Sequence, residues 1–174
     1  GRSTLEHFQK FIRDLTTPHL SKIGFEGIAS EHLDTTSLRD SVKNWNCIAM
    51  NEECLSKEYE KFLPYFTMGV MGLPFNFCYA LTRLDVTRFN QILTGVTTNE
   101  NYASRGSYLS NLGCNRDEAN VKSLLNAVID VGNNLTSDER TELLKNVYTK
   151  SQFAYEITID FLIEKHAEVQ AIYT

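Results

Sequence analysis

The 174-residue chain is 42% hydrophobic and carries 17 basic against 22 acidic side chains, a net charge of −5. Such a length suits one domain, or a slice of a larger one, with a core of real size, and the apolar share excludes intrinsic disorder. An acidic balance without a Lys/Arg cluster argues against nucleic acid or anionic lipid as a partner. No run of about twenty apolar residues offers a transmembrane segment; the nearest approach, 66–81, is broken by Thr67, Gly69, Gly72, Pro74 and Asn76. The first residues, Gly1-Arg2-Ser3, lack the apolar core of a signal peptide and read as a cut end.

Three prolines in the whole chain point to helices, and apolar spacing near 3.6 residues recurs along it. Leu5, Phe8, Ile12 and Leu15 form a first stripe, with a Ser3/Glu6 capping box before it and Pro18 as its expected end. Asp34 is the expected cap of a second helix carrying Leu38, Val42, Trp45 and Ala49 on one face. Leu55, Tyr59, Phe62 and Phe66 mark a third, and 64–74 is an ambiguous stretch where an internal break is expected. Phe77, Leu81 and Leu84 mark a fourth helix, and Asp85 caps a fifth with Val86, Phe89 and Leu93. A sixth, around Tyr102, Leu109 and Leu112, is weakened by Gly106 and ends at Gly113 as C-cap.

The seventh is the clearest, with Val121, Leu124, Leu125, Val128 and Ile129 on one face and Gly132 as terminator. Thr136 and Glu139 make a capping box ahead of Leu143, Leu144 and Val147. A last helix is expected over 152–173, with Phe153, Ile157 and Phe161 in line. No stretch alternates with period two, so no strand is predicted. The fold class that follows is all-α, with antiparallel helix pairs stacked as in a HEAT/armadillo-like α-solenoid. Residues 1–174 read as one helical segment.

Four cysteines, Cys47, Cys54, Cys78 and Cys114, contain no C-x-x-C pair, which argues against a structural zinc site. They allow three disulfide connectivities. The favoured one is Cys47–Cys54 with Cys78–Cys114, because a helical hairpin brings the first two together. In the chain-entropy model such loops contribute roughly 2.5 and 3.8 kcal/mol. Four buried free thiols are the alternative. Asn134-Leu135-Thr136 is an N-glycosylation sequon in a predicted turn, although Thr136 already has a use as helix cap. Sequon and even cysteine count together favour an oxidising, secretory compartment.

Catalytic patterns are missing. The four histidines, His7, His19, His32 and His166, are dispersed, and there is no H-E-x-x-H, G-x-S-x-G, P-loop or dinucleotide glycine pattern. His32 stands between Glu31 and Asp34, but a polar loop before a helix explains the trio better than a metal site. Glu52-Glu53 and Asp138-Glu139 complement the positive ends of helices. No catalytic, cofactor-binding or metal-ligating residue is therefore assigned.

Several segments, in order, resemble the C-terminal helical domain of the aminopeptidase N family of zinc aminopeptidases. They are Leu38-Arg39 through Trp45-Asn46-Cys47 to Glu53-Cys54, then Phe77-Cys78-Tyr79-Ala80, then Tyr108-Leu109 with Leu112-Gly113-Cys114-Asn115-Arg116-Asp117. Over 154–169 the chain keeps Asp160-Phe161 of the family's Trp-Asp-Phe step. It departs where the family often has a tryptophan, near Phe89, and an acidic–basic pair, at Arg105-Gly106.

The resemblance implies a non-catalytic piece of a larger C-terminal domain. In such a parent, zinc sits in a separate catalytic domain and activates water against the first peptide bond. The helical domain would form a bowl over the catalytic cleft and control peptide access. Both cysteine pairs match the bridges of the extracellular members, which implies the extracellular face of the secretory pathway and a membrane anchor in parts outside this chain. The partners implied are the parent's catalytic domain and a peptide substrate. A protein ligand or a second copy is a further expectation, since family members serve as cell-surface receptors for toxins and viruses. The rival readings are a stand-alone docking module and an intracellular helical-repeat adaptor with free thiols.

Overall fold

A computed structural model describes residues 2–68 and 77–173, and side chains from Thr4 to Phe66 and from Cys78 to Tyr173. Ten α-helices and no strand occur among the described residues: α1 (Arg2–Ile23), α2 (Leu33–Ile48), α3 (Glu52–Met68), α4 (Phe77–Leu81), α5 (Val86–Thr98), α6 (Arg105–Asn111), α7 (Glu118–Ile129), α8 (Ser137–Lys150), α9 (Gln152–Glu164) and α10 (His166–Tyr173). A 3-10 turn, Leu112–Cys114, follows α6. The class is all-α, with helices packed in pairs as in α-solenoid-like domains. Two compact units, Gly1–Glu58 and Tyr59–Thr174, divide the chain within α3. Residues 64–68, the start of the stretch where a break is expected, are helical, and 69–76 lie outside the described residues.

In the first unit α1 packs along α2. Pro18 does not end α1, which runs five residues further to Ile23. Proline removes only one backbone donor and leaves one carbonyl unpaired. Here Pro18 is exposed, so water can serve that carbonyl, and packing on α2 holds the helix together. Ser3 lies inside α1 rather than ahead of it.

The second helix turns an unexpected face inward. Leu38 and Trp45 are 51% and 48% exposed, whereas Arg39, Asn46 and Cys47 are buried. The contact with α1 is polar: the Asn46 amide donates to the Thr16 and Thr17 hydroxyls at 2.8 and 3.1 Å. His32, not Asp34, is the N-cap, its Nδ1 accepting from the Asp34 amide. The turn into α3 passes through Met50 at φ 59°. It is held by Asn51 N donating to Asn46 O, by Asn51 Oδ1 accepting from Cys54 N, and by the Cys47–Cys54 disulfide.

The second unit holds the larger apolar core. Phe89, Ile92 and Val96 of α5 meet Val121, Leu124, Leu125 and Val128 of α7 and Leu143 and Val147 of α8, all but fully buried. Each such side chain contributes about 1.5–3 kcal/mol, and the α7 stripe is the periodic one visible in the sequence. Asp85 caps α5 and Thr136 with Glu139 forms the capping box of α8, as expected. Leu84 lies just past α4, buried in the core. The helix expected over 152–173 breaks at Lys165, whose φ −108°, ψ 24° lets α10 turn to touch α7 as well as α9 and place Val169 against the core.

Buried Asn115 ties the middle of this unit together. Its amide donates to the carbonyls of Leu81 and Leu84 at 2.8 and 3.3 Å, and its oxygen accepts from Asp117 N and Asn120 Nδ2. The neighbouring Cys78–Cys114 disulfide links α4 to the 3-10 turn. Gly113 is not a C-cap of left-handed conformation; it lies inside the 3-10 turn, where α8 comes close. A Cβ there would stand 2.7 Å from Asn146 O and 2.8 Å from Val147 Cα, both backbone atoms. At Gly106, near the start of α6, a Cβ would meet nothing within 4 Å.

The two glycines should therefore respond oppositely to one methyl group. Gly113→Ala should lose about 1–3 kcal/mol by overpacking, and Gly106→Ala should gain up to about 1 kcal/mol from helix propensity and reduced unfolded-state entropy. Urea midpoints of the two variants, on either side of the unsubstituted chain, are the check.

Candidate functional site

The polar interior is organised by arginines at helix C-termini, where the last carbonyls lack intrahelical partners. In the first unit the arrangement is reciprocal. Arg39 of α2 donates through Nε to Gly24 O (3.0 Å) and Ile23 O (3.2 Å) and through Nη2 to Ile23 O (2.8 Å), closing α1. Its two terminal nitrogens also grip both carboxylate oxygens of Glu31. Arg13 of α1 in turn donates to Ala49 O (2.5 Å), at the end of α2. The Arg39 guanidinium, hydrogen-bonded to Glu31, holds that carboxyl below the usual glutamate range.

In the second unit Arg105, the first residue of α6, closes α5. It donates to Val96 O, to Asn99 O at 3.1 Å and to Asn134 O at 3.0 Å, and forms a fork on Glu139 with both contacts at 2.8 Å. Arg140 of α8 closes α7, donating to Val128 O (2.7 Å), Ala127 O (3.2 Å), Leu135 O (3.2 Å) and Asn133 Oδ1 (2.7 Å). These acceptors are neutral oxygens, so the negative end of α7 complements the buried charge. The Arg105 hydrogen bonds and the Thr136 backbone N–H, against an opposing contribution from burial, lower the Glu139 carboxyl from 4.5 to about 2.

These groups are locked to one another and to the helix ends they close. No set of three or more His, Cys, Asp or Glu able to hold a metal occurs among the described residues. The trio beside His32 is split, since Glu31 turns inward to Arg39 while His32 and Asp34 face solvent. Glu53 pairs with Lys57 at 2.7 Å on the surface. All four cysteines are in the two disulfides, Cys47–Cys54 and Cys78–Cys114. Asn134 lies exposed in the turn before α8.

Two concavities remain. In the first unit a cavity of about 320 Å³ lies beside the Cys47–Cys54 bridge, bordered by Thr17, Ser21, Phe25, Asn51, Glu53 and Lys57. In the second, a groove of about 340 Å³ separates α7 from α9. Its floor is Ile157 and Phe161, and its rim is Glu118, Lys122, Asp160, Glu164 and Lys165. Glu118 and Lys122 pair at 2.7 Å. An apolar floor with a charged rim can hold an extended amphipathic chain.

Fold and surface thus define an all-helical domain in which no metal-holding group of His, Cys, Asp or Glu occurs among the described residues. The chain belongs to the ERAP1-like C-terminal domain family, whose profile matches residues 2–174. It is also 26% identical over 176 residues to aminopeptidase N of Plutella xylostella, a match covering 98% of this chain and 18% of that protein. The chain therefore spans about a fifth of the length of this curated relative. No helix among the described residues is long and apolar enough to cross a membrane.

The buried Arg39, Arg105 and Arg140 and the half-buried Arg13 were not singled out by periodicity. An acidic residue three or four positions away is absent around all four, but equally around the exposed Arg83 and Arg116, so that feature does not mark them. The solvent pairs Lys10–Asp14, Asp85–Arg88 and Glu118–Lys122 do have that spacing.

Glu139 gives the site a pH signature. Its folded-state value lies below its unfolded one, so its contribution is complete above about 4.5 and is lost as pH falls from there towards about 2. With the side chain 29% exposed, the solvent-discounted contribution is on the order of 1–2 kcal/mol. Glu139→Gln should be less stable at neutral pH and should lose less between pH 4.5 and 2, read from urea unfolding at a series of pH values.

Proposed function

We propose that the chain is the non-catalytic C-terminal helical domain of a zinc metallo-aminopeptidase, capping the catalytic cleft and controlling which peptides reach it. Family membership across residues 2–174 carries this reading. The zinc and its ligands belong to the catalytic domain of the longer protein, which is this domain's first partner; a peptide substrate is the second. The groove between α7 and α9 suits the part of a peptide remote from the scissile bond, with Ile157 and Phe161 for apolar side chains and Asp160 and Glu164 for basic ones. Two disulfides support maturation in the secretory pathway and display on the extracellular face, with the membrane anchor outside this chain.

A docking role for a foreign protein, or for a second copy, is the second reading. It is favoured by α1, where Leu5, Phe8, Phe11 and Leu15 are all exposed on one side, Phe11 by 61%. A contiguous apolar stripe of this kind marks a contact surface. In the longer protein, helices preceding α1 would cover part of it.

The test uses the longer protein and two substrates. The double substitution Asp160→Lys, Glu164→Lys should change KM for a basic decapeptide by about fivefold, the effect of roughly 1 kcal/mol. Turnover of an aminoacyl-anilide, too short to reach the groove, should stay unchanged. The isolated 174-residue chain should hydrolyse neither. Zinc-dependent turnover by the isolated chain, or equal losses on both substrates, would contradict the reading.

A further inference from the structure

The turn between α7 and α8 contains the single N-x-S/T sequence of the chain, Asn134-Leu135-Thr136. Its three residues have separate tasks in the fold. Asn134 is exposed, yet its backbone N–H donates to Thr97 O at 2.7 Å and its carbonyl accepts from Arg105 at 3.0 Å. Leu135 is buried in the core, and the Thr136 hydroxyl accepts from Glu139 N at 3.2 Å. The backbone is thus fixed on both sides while the Asn134 side chain lies at the surface. Its Nδ2 donates to the carbonyl of Thr98, the last residue of α5, at 2.7 Å. A carboxamide nitrogen carries two hydrogens, and this contact uses one.

We propose that Asn134 carries an N-linked oligosaccharide, and that the substituted amide keeps its remaining N–H on the Thr98 carbonyl. The co-reactant is an oligosaccharide joined to a polyprenyl pyrophosphate. The Asn134 nitrogen forms a bond to C1 of the first N-acetylglucosamine, and the C1–oxygen bond to pyrophosphate breaks. The pyrophosphate leaves with the electron pair, the nitrogen gives up one proton, and no oxidation or reduction occurs. Glycans of this kind belong on surface loops of secreted chains. The turn meets that condition, and the two disulfides supply the compartment independently of the sequon. The hydrogen bond to Thr98 O would fix the direction in which the first sugar leaves the surface, above the junction of α5 and α6.

This inference rests on the secretory reading above, and one experiment separates the two. The protein is purified as its own cells make it, and the tryptic peptide 123–140 is weighed before and after peptide N-glycosidase. The expected result is a glycosylated peptide that the enzyme converts to one with Asp at 134. Thr136→Ser should retain the glycan, and Asn134→Gln and Thr136→Ala should lose it. Cysteine alkylation before and after reduction is read on the same sample. An unmodified Asn134 with both disulfides intact overturns the glycan alone. An unmodified Asn134 with four free thiols overturns the secretory reading as well.

Discussion

A helix ends with carbonyl groups that its own backbone cannot satisfy, and in this domain the ends of α1, α2, α5 and α7 are closed by a guanidinium from a neighbouring helix. Burying an isolated cation is costly, so each of these arginines is tolerable only where several acceptors converge. The C-terminal turn of a helix supplies them, together with the negative end of the helix dipole. Because the arginine and the end it closes belong to different helices, each contact also sets how far one helix runs along the next. The paired packing follows from this constraint, and the apolar stripes of α5, α7 and α8 then have a fixed register in which to interlock.

The same constraint fixes the charged groups of the interior. Arg39 with Glu31 and Arg105 with Glu139 are bidentate pairs in which the arginine's other hydrogen bonds go to main-chain carbonyls and the glutamate also accepts from Thr36 or Thr136. Both pairs hold helix ends in place. The surface is where the domain can act: a groove with an apolar floor and charged rim on one side of α7, and an exposed apolar stripe on α1.

Much of this was legible in the sequence, and the parts that were not share a physical cause. Helices whose inward face is apolar, α5, α7 and α8, follow their hydrophobic period, and their caps Asp85, Thr136 and Glu139 were readable as side-chain chemistry. The second helix misled because its inward face is polar, and Asn46 and Arg39 are hidden from any count of apolar residues. Pro18 and Lys165 misled in opposite directions, since local propensity was overridden by packing on α2 in one case and on α7 in the other. Gly113 was legible as a special position but not for the right reason, because a close approach by α8 is a tertiary fact. The α7–α9 groove had no sequence signal, since Glu118 and Glu164 meet only after folding.

The central claim is that these helix-closing guanidinium groups hold the domain, and Arg140 is the cleanest place to test it, because its acceptors are neutral carbonyls and an amide oxygen. Equilibrium urea unfolding of Arg140→Met and Arg140→Lys measures the contribution directly. Methionine keeps much of the buried stem but removes the guanidinium donor from the carbonyls of Val128 and Leu135, while Ala127 O keeps the Asn133 Nδ2 donor at 2.7 Å. The expected loss is about 2 kcal/mol or more at 1–3 kcal/mol for each abandoned buried group, with lysine recovering only part of it because it lacks the planar fork. An Arg140→Met variant within about 0.5 kcal/mol of the unsubstituted chain, the range of ordinary surface substitutions, would contradict the account.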